Sequence, residues 1–215
     1  MFRFTLLGFP VSIHWMFWLT AALLSGQIDN LSKPGALWQM GIWMAVVFLS
    51  VLWHELGHVI FQRKFGARPE IMLVAFGGLA VPHGGRFNRS QSFVIAAAGP
   101  AFGLLLWGAS EIFFHFSPPQ TDLQASLSGM LWVVNLFWSL VNLLPILPLD
   151  GGHMMQAALG PKRIKVVAAI GMVTAGAVAV AAMTLLQAFF MAFFFGWFAW
   201  QNFQIFQRGH GSVRM

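Results

Sequence analysis

The run from Val166 to Phe206 is apolar along its length and long enough to cross a bilayer twice as helix. A lipid environment satisfies no backbone N–H or C=O, so a run of this kind admits helices and excludes open strands facing lipid. Its character changes near Met183–Gln187, from Ala/Gly/Val-rich to Phe-rich, which places a tight turn there and gives spans at 166–183 and 187–206. The rest of the chain obeys the same constraint. Charged residues make up 8% and hydrophobic residues 58%, against about 25% charged in a soluble domain, and the mean hydropathy is +0.73. These values point to a polytopic membrane protein and exclude a secreted or cytosolic domain. Cysteine is absent, so disulfides and thiolate ligands are excluded, and a metal here would be held by His, Asp or Glu. Tyrosine is absent too, which leaves the 10 Trp as interfacial anchors.

Upstream, apolar runs at 10–26, 36–62, 92–116 and 127–146 read as four further spans. Pro10 opens the first and Gly26 closes it; Trp15 and Trp18 suit a retained span rather than a cleaved leader. Residues 70–85 are apolar but too short to cross. Two β-prone runs flank Gly77-Gly78, a hairpin signal, and an open hairpin must be buried in protein or line a cavity. The expected fold class is therefore an all-α polytopic membrane protein, a single domain over 1–215, with about six transmembrane helices and a short re-entrant β-hairpin. The net charge of +6 is read as cytoplasmic loops rather than nucleic-acid binding. With the N-terminus inside, Arg3, Arg63, Lys64, Arg68, Arg86, Arg89, Lys162, Arg163, Lys165, Arg208 and Arg214 are cytoplasmic, and of the 12 Lys and Arg only Lys33 falls outside. The expectation is a multi-pass protein of a bacterial or archaeal plasma membrane with both termini cytoplasmic.

Two motifs carry chemistry. The first is His54-Glu55-Leu56-Gly57-His58 in the last third of the second span. Residues four apart share a helix face, so His54 and His58 can offer two imidazoles to one metal ion, with Glu55 placed to reach a nearby water without ligating the metal. That pattern suits zinc-assisted hydrolysis, in which the metal lowers the pKa of water to about 7 and a carboxylate takes the proton. The second is Asn142-Leu-Leu-Pro145-Ile-Leu-Pro148-Leu-Asp150-Gly151-Gly152, where two prolines break a helix and an acid follows at membrane depth. The charge topology puts both motifs toward the cytoplasmic side.

Together, in this order and spacing, the two motifs resemble the paired signature of the site-2 protease family of intramembrane zinc metalloproteases. Gly99-Pro100 and the Phe76-Gly77-Gly78 hairpin are similar to further features of that family, and the likeness extends over roughly residues 10–206. The resemblance implies one Zn2+ ion held by His54, His58 and Asp150, with Glu55 as the catalytic base. It implies that Asn142 binds substrate or stabilises the oxyanion, and that the strands around Gly77 and Gly78 receive substrate as an added strand. The implied substrate is a transmembrane protein, cut within or near its span in the bilayer. Many members carry Asn soon after the Gly-Pro pair, where this chain has Gly103, and the loops are too short to hold an inserted domain.

Three rival readings fit parts of the pattern. A different membrane metallopeptidase would need a glutamate as third ligand, and Glu70 and Glu111 are the available ones. An ion-coordinating transporter would use the broken helices for passage, and a non-catalytic adaptor would not need Glu55. His14 reads as a helix-start residue at the interface, His83 as a loop histidine and His153 as a residue supporting or capping near Asp150. Glu111 and His115, one turn apart, read as an interfacial pair.

Overall fold

The computed structural model describes residues 1–75 and 77–209. In chain order the elements are β1 (Phe2–Leu6), β2 (Phe9–Ile13), α1 (Trp15–Leu23), α2 (Ala36–Lys64), β3 (Arg68–Val74), β4 (Gly77–His83), α3 (Arg89–Phe116), α4 (Asp122–Trp132), α5 (Trp138–Asn142), α6 (Asp150–Leu159), α7 (Ile164–Thr184) and α8 (Phe189–Arg208). A π-helical stretch, Val133–Phe137, joins α4 to α5. Phe76 and Arg214, used in the sequence reading, lie outside the described residues. The chain divides into two compact units, Met1–Arg86 with Ala98–Ser139 and Phe87–Ala97 with Leu140–Met215.

Among the described residues, four helical stretches are long and apolar enough to cross a membrane: Ala36–Lys64, Arg89–Phe116, Asp122–Asn142 and Pro161–Thr184. The runs at 10–26 and 187–206, read from the sequence as spans, are not among them. Residues 10–26 begin as β2 and continue as α1, whose 9 residues rise only about 13.5 Å at 1.5 Å per residue, less than half the ~30 Å hydrocarbon thickness. His14 is the N-cap of α1, its Nδ1 accepting from the Met16 amide at 3.3 Å. The second half of α8 carries Gln201, Asn202, Gln204 and Gln207, which dilute its apolar character.

In the first unit the all-α expectation is corrected by a four-stranded sheet of order β1-β2-β3-β4. β1 and β2 pair antiparallel around Leu7-Gly8. Both loop residues have positive φ, 51° and 77°, the geometry of a hairpin turn whose twist matches its strands. β2 runs parallel to β3 through Val11–Ile13 against Ile71–Leu73, and Pro10, which has no N–H to give, precedes that parallel stretch. β3 pairs antiparallel with β4 from Arg68↔His83 to Val74↔Gly77. The pairing runs to Val74 and Gly77, so Gly77-Gly78, read as the point between the two strands, instead open β4. Burial alternates along β3, with Pro69, Ile71 and Leu73 inward, as a period of two requires. That face joins Phe9, Val11 and Ile13 against Val51, Leu52, Leu56 and Val59 of α2 in one apolar core.

In the second unit α5 stops at Asn142, four residues short of the span end read from the sequence, and helix resumes at Asp150. Pro145 and Pro148 account for the gap, since neither can donate a helical hydrogen bond. The connecting segment is not a surface loop: Ile146 packs with Ala175, Phe195 and Phe198, and Leu147 with Ile164 and Val167. Gly151 and Gly152 are required by contact. A Cβ on Gly151 would meet the Leu144 carbonyl, and one on Gly152 would come within 2.6 Å of the Leu147 amide nitrogen, so the first turn of α6 rests backbone to backbone on residues 143–147.

Candidate metal centre

Helical periodicity makes α2 polar along one buried line. Ser50, His54, His58 and Gln62 follow at intervals of four, which places them one above another on one face, and they are 4%, 4%, 7% and 5% exposed. Burying four polar side chains in an otherwise apolar helix is costly unless each is engaged. At the ends the partners are protein. Asn135 Nδ2 donates to Ser50 Oγ at 3.1 Å and to its own helix at the Leu131 carbonyl at 3.0 Å, which supplies a donor inside the π-helical turn. Gln62 Nε2 donates to the Ala80 carbonyl of β4 at 3.2 Å. In the middle, His54 Nε2 and His58 Nε2 face each other at 3.2 Å.

The backbone of α3 lies directly against those two nitrogens. α3 crosses α2 at close range, with a Cβ on Gly57 coming within 2.5 Å of the Ala98 carbonyl, the small-residue approach common between membrane helices. One residue further, a Cβ on Gly99 would run into His58 Nε2 and lie 2.6 Å from His54 Nε2. Trp53 ties the same two helices, its Nε1 donating to the Phe102 carbonyl at 2.9 Å. Only glycine at 99 lets α3 lie this close to both imidazole nitrogens.

Glu55 is 5% exposed, and the strand that backs it is β4. A Cβ on Gly78 would come within 2.6 Å of Glu55 Oε1, so only glycine lets the strand lie against this carboxylate. Gly77 faces the Trp138 ring, with 3.5 Å from a Cβ to Cζ2. β4 is an outer strand of the sheet. In the second unit Asp150 is the first residue of α6 and half-buried, at the end of a helix that favours negative charge. Asn142, also half-buried, closes α5.

Two imidazoles and one carboxylate, His54, His58 and Asp150, form a donor set that could hold one metal ion. The chemistry fits zinc, which takes N and O ligands at about 2.0–2.2 Å; two nitrogens so bound in a tetrahedron stand about 3.3 Å apart, close to the 3.2 Å between the imidazoles. The other candidates fall elsewhere. His83 Nε2 meets Glu70 Oε1 at 3.1 Å on an exposed part of the sheet, and Glu111 is exposed on α3. The sequence reading missed Ser50 and Gln62, although both lie on the 54/58 line at the same spacing.

Comparison with known proteins gives this geometry its context. Residues 118–186 match Peptidase family M50. That segment holds Asn142, the two prolines and Asp150, but not the histidine motif. Rip3 of Mycobacterium tuberculosis is 35% identical over 167 residues, which are 71% of this chain and 42% of that protein. Zinc metalloprotease MJ0392 of Methanocaldococcus jannaschii is 29% identical over 164 residues, 74% of this chain and 45% of that protein. The chain thus spans less than half the length of the curated relatives it matches. Among solved structures, the site-2 protease from Methanocaldococcus jannaschii superposes with a TM-score of 0.65 at 25% identity, over 94% of each chain. The resemblance read from the two motifs therefore holds: a Peptidase family M50 segment sits in a chain whose fold is that of a site-2 protease.

Proposed function

We propose that this chain is an intramembrane zinc metalloprotease that hydrolyses peptide bonds within or near the transmembrane segment of membrane-protein substrates. The observation that carries the reading is the pair of buried imidazole nitrogens 3.2 Å apart on a spanning helix, with glycine kept beside them at position 99. His54, His58 and Asp150 hold the ion in this reading. Zinc bound there supplies a Lewis acid for the scissile carbonyl and lowers the pKa of the attacking water. Glu55, buried next to His54, takes the proton from that water and returns it to the departing amine. Asn142 offers an amide to the developing oxyanion. A substrate helix must be unwound before its carbonyl is accessible, because its own hydrogen bonds shield the peptide bond. The outer strand β4 supports that step: substrate added along it would run past Gly77 and Gly78, in reach of Glu55. We place the loops holding Arg63 to Arg89 and Lys162 to Lys165 on the cytoplasmic side of a bacterial or archaeal plasma membrane, on the distribution of Lys and Arg; both termini join them there when the runs at 10–26 and 187–206 cross as well.

The test separates base from ligand on the same purified samples. Glu55→Gln keeps shape and metal while removing the basic oxygen, so zinc content stays near wild type and cleavage of a reconstituted membrane substrate falls by about 10²–10⁴. Asp150→Ala removes one of three protein ligands and lowers zinc content along with activity. Loss of zinc from Glu55→Gln with retention in Asp150→Ala inverts the roles; full cleavage by both rejects the protease reading.

A further inference from the structure

The segment ahead of Asp150 has carbonyls that no regular element can satisfy. Ile146 and Leu147 are 0% and 1% exposed, and the prolines at 145 and 148 remove two of the local N–H donors. A carbonyl buried in apolar surroundings without a donor is strongly unfavourable. Turn bonds serve part of the segment, with the Leu149 amide donating to Ile146 and the Ile146 amide to Leu144, each at 2.7 Å. The Leu147 carbonyl is served by a side chain 55 positions away in sequence: Asn202 Nδ2 of α8 donates to it at 2.7 Å.

Asn202 is 0% exposed and stands in the Phe-rich helix where an apolar residue would be expected. Its Nδ2 also donates to the Phe198 carbonyl at 2.8 Å. Both partners are acceptors only, so the amide has one workable orientation. Its Oδ1 is buried and accepts no hydrogen bond among the described residues. Room for that oxygen comes from Gly171 of α7, where a Cβ would collide with it and come within 2.9 Å of the amide carbon. From Leu147 the contact passes to α6, because the Leu147 amide nitrogen would be 2.6 Å from a Cβ on Gly152. Asp150 lies two residues before that contact.

We propose that Asn202 is a positioning residue for Asp150. The amide fixes the Leu147 carbonyl, the fixed loop supports the backbone of Gly151 and Gly152, and the Asp150 carboxylate is thereby presented in one orientation. Gly171 belongs to the same device, since its missing side chain leaves the amide its place. The inference rests on the reading of Asp150 as a metal ligand, and its test is built so that the two fail separately.

Asn202→Asp keeps the shape but turns oxygen toward two carbonyls; Asn202→Leu removes both donors; Gly171→Ala crowds the amide from behind. Ala182→Gly, near the other end of α7, serves as a control that weakens a helix without touching the loop. Each variant and Asp150→Ala is purified in detergent. Zinc affinity is measured by competition with a chromophoric chelator, and hydrogen exchange of peptides covering 143–153 is measured on metal-free protein. Asn202→Leu and Asn202→Asp are expected to lose at least tenfold in zinc affinity and to exchange faster over 143–153, Gly171→Ala to do the same to a smaller degree, and Ala182→Gly to do neither. Wild-type zinc affinity in Asp150→Ala rejects the ligand reading, whatever Asn202 does. Loss of zinc in Asp150→Ala, with wild-type affinity and exchange in the Asn202 variants, overturns the positioning role. An equal loss of affinity in Ala182→Gly overturns it too, because the effect would then follow stability alone. Should the Asn202 variants not fold, Gly171→Ala alone decides by the same two readouts.

Discussion

Gly99→Ala adds one methyl and leaves every proposed ligand in place. Its Cβ would lie 2.6 Å from His54 Nε2 and closer still to His58 Nε2. Ordinary contact begins near 3.4 Å, so the His54 ring must withdraw by about 0.8 Å, several times the ~0.2 Å within which metal–ligand distances are held. Both rings are buried, so the methyl is accommodated only by moving them or by prying α3 off α2, which breaks the close approach of Gly57 and Ala98. Overpacking of this kind costs about 1–3 kcal/mol, which at 1.36 kcal/mol per decade corresponds to roughly a 5- to 150-fold loss of zinc affinity if the strain is relieved in the metal-free protein. The assay is zinc competition and cleavage on detergent-purified protein. Gly108→Ala on the same helix, where a Cβ meets nothing within 4 Å, is the control and should bind zinc as wild type. Zinc affinity in Gly99→Ala equal to that control would refute the proposal that His54 and His58 together bind one ion.

Gly78→Ala should leave zinc content unchanged and lower cleavage at least tenfold, because its methyl presses on Glu55 Oε1 rather than on a ligand; zinc loss in this variant would contradict the separation of base and ligands. Chelation should lower the thermal midpoint of wild type, since a ligand at 100 times its Kd contributes about 2.7 kcal/mol to the native state, and should leave Asp150→Ala unmoved; a midpoint indifferent to zinc in wild type would argue against a bound ion. Single cysteines introduced into this Cys-free chain should label from outside at Gln120 and from inside at Lys162, and the reverse pattern would overturn the charge-based orientation; a cysteine at Asn30 labels from outside only where the run at 10–26 crosses, and so separates six spans from four.

What could be read in the sequence depended on whether partners were close in sequence or carried a regular spacing. His54, Glu55 and His58 could be read because a helix turns four positions into one face. Asp150 could be read because two prolines and two glycines mark a break, and the contacts of Gly151 and Gly152 with residues 143–147 give those glycines their reason. The sheet was half legible. Residues 70–85 announced strands, whereas Pro10–Ile13 were absorbed into a span because Pro10 read as its start, and Phe2–Phe9 drew no reading; the Leu7-Gly8 turn and the alternation around it were the available signal. Asn202 could not have been assigned. Its partner is a backbone carbonyl 55 residues away, and no side-chain pattern encodes a carbonyl.

The polar line on α2 divides into ends that meet protein partners and a centre that faces bare backbone. Four buried polar residues in a row would weaken a spanning helix unless each met a partner. Ser50 meets Asn135, and Gln62 meets β4, so the ends of the line bind α2 to the neighbours that hold it. The two residues between them point at each other and at the bare backbone of α3 at Gly99. Where each glycine stands, an added methyl would overlap the motif: at 99 it runs into His58 and lies 2.6 Å from His54 Nε2, and at 78 it comes within 2.6 Å of Glu55 Oε1. α3 and β4 thus bring bare backbone against all three motif residues, and a side chain at either position would have to displace a group that the proposed function uses.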